Sequence, residues 1–377
     1  MVCLFFVVSG YALSTKPLRL LHTHTHHATS FAPTLSSLVF RRSIRLFLPP
    51  AISTLLIVAL LRAGLYEHTR PFATSSHFLR NVHETHYHRL PSLADQLADW
   101  ARTQWDFIHV WDWKPYGGSN GMDVHLWTIP VEFRCSMLLF LSLLGTASLR
   151  PTVRLLVVVF LATFCYFHGR WDMLLFYAGM FLAEVDNMLL LLLPVVVVPF
   201  PRAASSSFAG ADDDDDADKK WIPISLVGLY LMSQPDQGSD ATPGWVRLSE
   251  LIPEWWPGDD RHRYFQCFGA VVFVGAVGRS PAWRRILNSG AVQYLGRISY
   301  AMYLMHGPVM HTLGYAVQWA VWTVVGTDGL AYNLGFAVSA LIIIPLVVCI
   351  SDIFWRAVDA PTVRFAKWVE SKCVVHE

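Results

Sequence analysis

The sequence predicts an all-α fold, a polytopic transmembrane helix bundle, and three observations carry the prediction. Of 377 residues, 54% are hydrophobic and only 15% charged, well short of the about 25% charged residues of a soluble domain. The apolar residues gather in stretches that approach the roughly 20 residues a membrane crossing requires. Fifteen Trp and 23 Phe are present, and aromatic side chains collect at membrane interfaces. A net charge of +1 gives no reason to expect nucleic acid as a partner.

Nine stretches are expected to cross: 1–13, 46–61, 126–148, 153–167, 171–183, 221–232, 265–277, 298–325 and 332–355. The first is short for a span and reads as the second half of a helix. Residues 188–200, with Pro194 and Pro199, read as a surface or re-entrant piece. The basic residues orient the set. With the segment after Ser14 in the cytoplasm, eighteen Lys and Arg fall on that side and ten on the other, as the positive-inside rule requires. A cytoplasmic C-terminus in an endomembrane or the plasma membrane is therefore expected.

One domain over 1–377 is expected, with a lumenal loop 64–125, a cytoplasmic acidic linker 201–220 and a lumenal loop 234–264. The run Asp212 to Asp216 reads as a solvated, disordered tether. The six cysteines have no CxxC spacing and read as small buried hydrophobes. The cluster His22, His24, His26, His27 and the scattered His68, His77, His83, His86 and His88 lack an HExxH pattern, so no metal site is expected.

Five local patterns stand out in order along the chain. They are Phe5-Phe6-x-x-Ser9-Gly10-Tyr11, Arg42-x-x-Arg45 before Pro49, Leu126-Trp127-x-x-x-x-Glu132, Phe176-Tyr177-Ala178-Gly179 through Glu184, and Ile298-Ser299-Tyr300-x-x-Tyr303-Leu304-x-His306. In this order and spacing the chain resembles the acyltransferase-3 family of integral membrane acyltransferases, especially its fungal members. The resemblance implies ten helices, and a catalytic Arg and His on a helix ahead of the Phe-Phe segment. Neither matches a residue here, so a family member lacking its first helix, and with impaired activity, is expected.

Each motif also has a physical reading. Arg42 and Arg45 lie three apart at a helix mouth, where guanidinium groups suit a phosphate-bearing ligand or anchor the helix at lipid headgroups. The resemblance makes that ligand acyl-CoA, as co-substrate and with no bound cofactor. Glu132 sits in a first helical turn, where the helix dipole favours a carboxylate and where it can accept a hydroxyl proton. His306 lies roughly 12 Å into its span, and an ionisable group there is a functional candidate. Glu132 and His306 are thus the expected catalytic residues, Arg42 and Arg45 the donor contacts, and His125, Trp127 and Tyr303 the acceptor contacts. The expected reaction moves an acyl group, in first place acetyl, to a hydroxyl of a glycan, lipid or secondary metabolite. A multi-pass transporter would also place charges inside the membrane but shows paired repeats, and none is detectable. A non-catalytic remnant of an acyltransferase is the other alternative.

Overall fold

The computed structural model describes residues 2–22, 28–80, 84–111, 120–192 and 211–374. Among them the chain is helical and contains no strand. Helix α1 is Val2–His22, α2 Ala28–Arg62, α3 Leu65–Ala73 and α4 Leu93–Phe107; a 3-10 turn, Val124–Trp127, leads into α5, Thr128–Gly145. There follow α6 Pro151–Phe167, α7 Trp171–Leu192, α8 Ala211–Met232, α9 Val246–Glu250, α10 Arg263–Val277 and α11 Pro281–Leu287. Helix α12, Gly290–Val309, passes through a π turn, Met310–Gly314, into α13, Tyr315–Val325; α14, Gly329–Phe354, passes through a second, Trp355–Asp359, into α15, Ala360–Cys373. Among the described residues, three helical runs are long and apolar enough to cross a membrane: Ser30–Arg62, Val124–Gly145 and Gly329–Cys373.

The chain divides into two compact units, Met1–Val39 with Arg134–Gln293, and Phe40–Phe133 with Tyr294–Glu377. In the first unit α1 packs on α7 at backbone contact. A Cβ on Gly10 would overlap the Phe176 carbonyl, and one on Gly179 the Val7 carbonyl. Small residues permit this approach, which lipid-embedded helices use because the hydrophobic effect gives them no driving force. Helices α8 and α10 repeat the device at Gly228 and Gly269. Buried charge fills the remaining space: Arg154 donates to Glu184 at 2.6 Å, and His22 Nε2 lies 3.1 Å from the same oxygen. In segment 234–264, Trp245 and Trp256 are buried and Trp255 is exposed. Trp256 packs on Tyr264 and Tyr166.

Four expectations are corrected here. Helix α1 continues past Leu13 through Pro17 to His22, carried by Leu18, Leu20 and Leu21. The acidic run is the start of α8, not a disordered tether. His22 is buried in the Arg154–Glu184 cluster rather than solvated, while His24, His26, His27 and His83 lie outside the described residues. Residues up to Leu192 belong to α7, and the rest of 188–200 lies outside them too.

The second unit revises the segment 64–125. Its α4 opens on a capping box from Ser92 and Asp95 and packs along α2. Trp100 Nε1 and Gln104 Nε2 donate to the Thr54 hydroxyl at 3.0 and 3.1 Å, and Phe107 meets Phe47 edge to face. Helix α3 seats Phe72 against Tyr315 and Trp322 of α13. In the first π turn the His311 carbonyl accepts a hydrogen bond from Thr69 of α3 at 2.6 Å.

Candidate active site

All seven sequence-predicted site residues lie in the second unit, on α2, the 3-10 turn, the start of α5 and α12. Leu46, Leu126, Ile129, Ala301, Leu304 and Phe354 form the apolar cluster that holds these elements together. The first polar group centres on Glu132. It is buried one turn inside α5, past the first turn where the sequence reading places it, so the helix-dipole reading falls away, and it accepts from Arg42 of α2 at 2.5 Å. The sequence assigns these two to different tasks, donor and transfer route; the structure joins them in one ion pair. Arg45, one turn along α2, is exposed and within Coulombic reach of Asp359 in the second π turn. Asp359 is buried, and its Oδ1 has no hydrogen-bond partner among the described residues. Tyr300 of α12 lies beside this group and donates to the Leu46 carbonyl at 3.1 Å.

The second group begins one turn further along α12. The Tyr303 hydroxyl donates to the His125 carbonyl. Its single proton is thereby committed, so at Thr128, 2.6 Å away, the threonine hydroxyl is the donor. These two bonds fasten α12 to the 3-10 turn and to the first residue of α5. His306 Nδ1 lies 2.6 Å from the Tyr303 carbonyl; that nitrogen carries the proton, and Nε2 is left as the basic atom. The His306 ring stands edge to face against His125, with centroids 4.5 Å apart. Trp127 closes the 3-10 turn, half-buried. His125 is not on the helical face of Glu132: the 3-10 turn directs it to Asp123 and Glu84 instead.

Several residues escape the sequence reading. Asp123 caps the 3-10 turn by accepting from the His125 N–H, and it sits against α12 where Gly307 leaves room. An Asp ahead of a helix start is a capping signal and was legible as such. Glu84, His86 and His311 carry no spacing signal, since the fold alone brings them together. Glu84 Oε1 is 3.4 Å from His125 Nε2 and its Oε2 3.4 Å from His311 Nε2. His311 Nδ1 lies 2.9 Å from His86 Nδ1, and His86 Nε2 lies 2.7 Å from the Tyr66 carbonyl. Hydrogen bonds from the two imidazoles hold the Glu84 carboxyl well below the usual carboxylate range. Burial pulls the His86 imidazole down to about 4. These groups pair in series; among the described residues no three His, Cys, Asp or Glu are grouped to hold one metal ion.

Chemically, the unit offers an imidazole held through Nδ1, a hydroxyl pair, and an arginine-rich helix turn beside a buried ion pair. That set can accept a hydroxyl proton at one end of an α12 face and contact an anion at the other. The chain is similar to known acyltransferases. An O-acetyltransferase of Phomopsis amygdali, PaAT-1, is 28% identical over 97% of this chain and 73% of its own length. The acyltransferase clz18 of Cochliobolus lunatus is 25% identical over 96% of the chain and 78% of its own. An acyltransferase of a Phoma species is 24% identical with the same coverage. No solved structure matches the chain significantly. The family model described as an acyltransferase domain matches residues 1–356, and the chain therefore belongs to the acyltransferase-3 family and is an acyltransferase.

Proposed function

We propose that this acyltransferase moves an acyl group, acetyl in the first instance, from acyl-CoA to a hydroxyl of a membrane-accessible acceptor. The observation that carries the reading is the alignment of Tyr300, Tyr303 and His306 on one face of α12, between the Arg42–Glu132 pair and the His125 turn. Tyr300 to His306 covers about 9 Å of helix rise. The positive-inside bias supports a cytoplasmic approach for the donor at the Arg42 end and a lumenal approach for the acceptor at the His306 end. The O-acetyltransferase activity in the name of the Phomopsis relative supports both the acetyl group and the oxygen acceptor.

In the reaction so read, the acceptor O–H bond breaks as its oxygen bonds the acyl carbon, and His306 Nε2 takes the proton. The carbon–sulfur bond then breaks, and the same proton leaves His306 for the departing thiolate, giving free CoA thiol. Tyr303 and Thr128 hold the His125 turn in place, and Arg45 meets donor phosphate. Glu132 keeps Arg42 in register and supplies the negative charge beside it.

The experiment is CoA release from acetyl-CoA by the purified chain in lipid nanodiscs, with a panel of alcohols and sugars as acceptors. Acceptor-dependent release that His306→Asn lowers by about 10²–10⁴-fold supports the reading. Release unchanged in that variant overturns the assignment of His306, and a chain that consumes no acyl-CoA with any acceptor overturns the donor.

A further inference from the structure

The proton step above uses His306 and leaves the chain of groups behind His125 without a task. Their hydrogen positions follow from geometry. Both ring nitrogens of His125 face carboxylate oxygens, Asp123 Oδ1 at 3.2 Å and Glu84 Oε1 at 3.4 Å. A nitrogen facing an anionic acceptor must carry hydrogen, so this ring is an imidazolium. His86 Nε2 faces the Tyr66 carbonyl and must donate, which leaves His86 Nδ1 as an acceptor. His311 Nδ1 therefore donates to it, and His311 Nε2 lies 3.4 Å from Glu84 Oε2. Two carboxylates thus flank the His125 imidazolium, one of them shared with His311, and His86 is neutral.

We propose that Glu84 is a positioning residue of the transfer site: its one carboxylate bridges His125 and His311, fixes His125 as an imidazolium against His306, and sets the basicity of the His306 Nε2. The proposal rests on the transferase reading. When Nε2 takes the acceptor's proton, a new positive charge appears beside the His125 ring, whose centroid is 4.5 Å away. With Glu84 present, two carboxylates face the His125 imidazolium and offset that charge. Without it only Asp123 does, and Nε2 binds the proton less well.

Facing these groups from α3 are Tyr66, stacked on His311, and Arg70, whose charge is taken by Glu67. From α13 comes Tyr315, against His311. Arg70 also donates to the His86 and Tyr87 carbonyls, which ties segment 84–90 to α3. Glu84 is therefore held on a braced backbone and reaches both rings from outside the helices that carry them.

The test measures kcat against pH for CoA release from acetyl-CoA, using the alcohol that gives the fastest release as acceptor. Glu84→Gln keeps shape and removes charge. It is expected to lower plateau kcat about tenfold and to leave KM for acetyl-CoA within about twofold. The acid limb should move to lower pH by about half a unit or more, because the base has become weaker. Glu84→Asp keeps the charge with a shorter reach and should return the limb toward its wild-type position. A merely structural loop residue would lower kcat with the limb unmoved, and that result overturns the proposal. If Glu84→Gln does not accumulate, Asp123→Asn removes the other carboxylate on His125 and must shift the limb the same way; an unmoved limb there overturns it equally. The outcomes separate from those of the underlying reading. Wild-type turnover in His306→Asn sinks the transfer reading itself, whereas a strict need for His306 with an unmoved limb in Glu84→Gln sinks only the bridge.

Discussion

Arg42 and Arg45 look equivalent in the sequence, three residues apart in one motif, yet they differ physically. Arg42 is spent on Glu132, with the side chains 13% and 6% exposed, while Arg45 is exposed. Removing one partner of a buried pair strands the other charge and costs about 3–5 kcal/mol, whereas replacing both by apolar residues is often close to neutral. Arg42→Ala and Glu132→Gln should therefore each lower the unfolding temperature in detergent far more than Arg42→Met combined with Glu132→Leu. Arg45→Ala should leave that temperature unchanged and weaken acetyl-CoA, in KM or direct binding, by the about 1.5–3 kcal/mol of a charged hydrogen bond. Dephospho-CoA in the same assay reports which phosphate is involved. His86 makes a pH prediction. Its imidazole falls from 6.5 in the unfolded chain to about 4 here because of burial. Above pH 6.5 both states are neutral and stability is full; as pH falls toward 4 the unfolded chain binds the extra proton and stability declines, by at most about 3 kcal/mol. Thermal unfolding between pH 7 and 4 should show this slope, and His86→Gln should flatten it.

At the scale of elements, the motifs divide into chemistry and carpentry. Gly10 and Gly179, which anchor two of the five motifs, bring α1 and α7 into backbone contact. Gly10→Leu or Gly179→Leu should therefore disassemble the first unit, with a cost above the about 1–3 kcal/mol of ordinary overpacking. Gly145→Leu, at a position open to space, should not. Monodispersity on size exclusion in detergent tests both. The sequence legibly marks these helices, and Tyr303 and His306 on one helix face, because their spacing matches helical periodicity. It does not reveal that α4 packs along α2 through Thr54, since α4 reads as polar and its partner lies about 50 residues away in sequence. Nor does it reveal Glu84 beside His311, a pairing of residues remote in sequence that no local period encodes. The Arg42–Glu132 pair was missed for a related reason: each residue had a plausible local role at its own helix end.

At the scale of the whole molecule, the bias of basic residues makes a prediction that the chain's own thiols can test. Cys373 and Cys349 are exposed and the other four cysteines buried. A membrane-impermeant thiol reagent should label Cys373 from the cytoplasmic face of sealed vesicles. In a Cys373→Ser background, Trp255→Cys should be labelled only from the opposite face. Labelling of both from one side contradicts the expected orientation. The all-helical class follows directly from composition, because a chain with this little charge must satisfy its backbone internally once in lipid. Boundaries are less legible: α1 outruns its apolar stretch, and α14 continues without a break through the second π turn into α15.

The first π turn, Met310–Gly314, has a consequence for how the chain tolerates length changes. A π turn amounts to one residue inserted into an α-helix, commonly at functional sites. Each residue of an α-helix turns the chain by about 100°. Deleting Thr312 would let the segment close up as ordinary α-helix with α13 nearly in phase, because the π turn already absorbs the extra residue. Tyr315 and Trp322 would then stay against Phe72. A single-codon deletion at this point should therefore do less harm than the same deletion inside α13, where nothing absorbs the missing residue and the rest of the helix must swing.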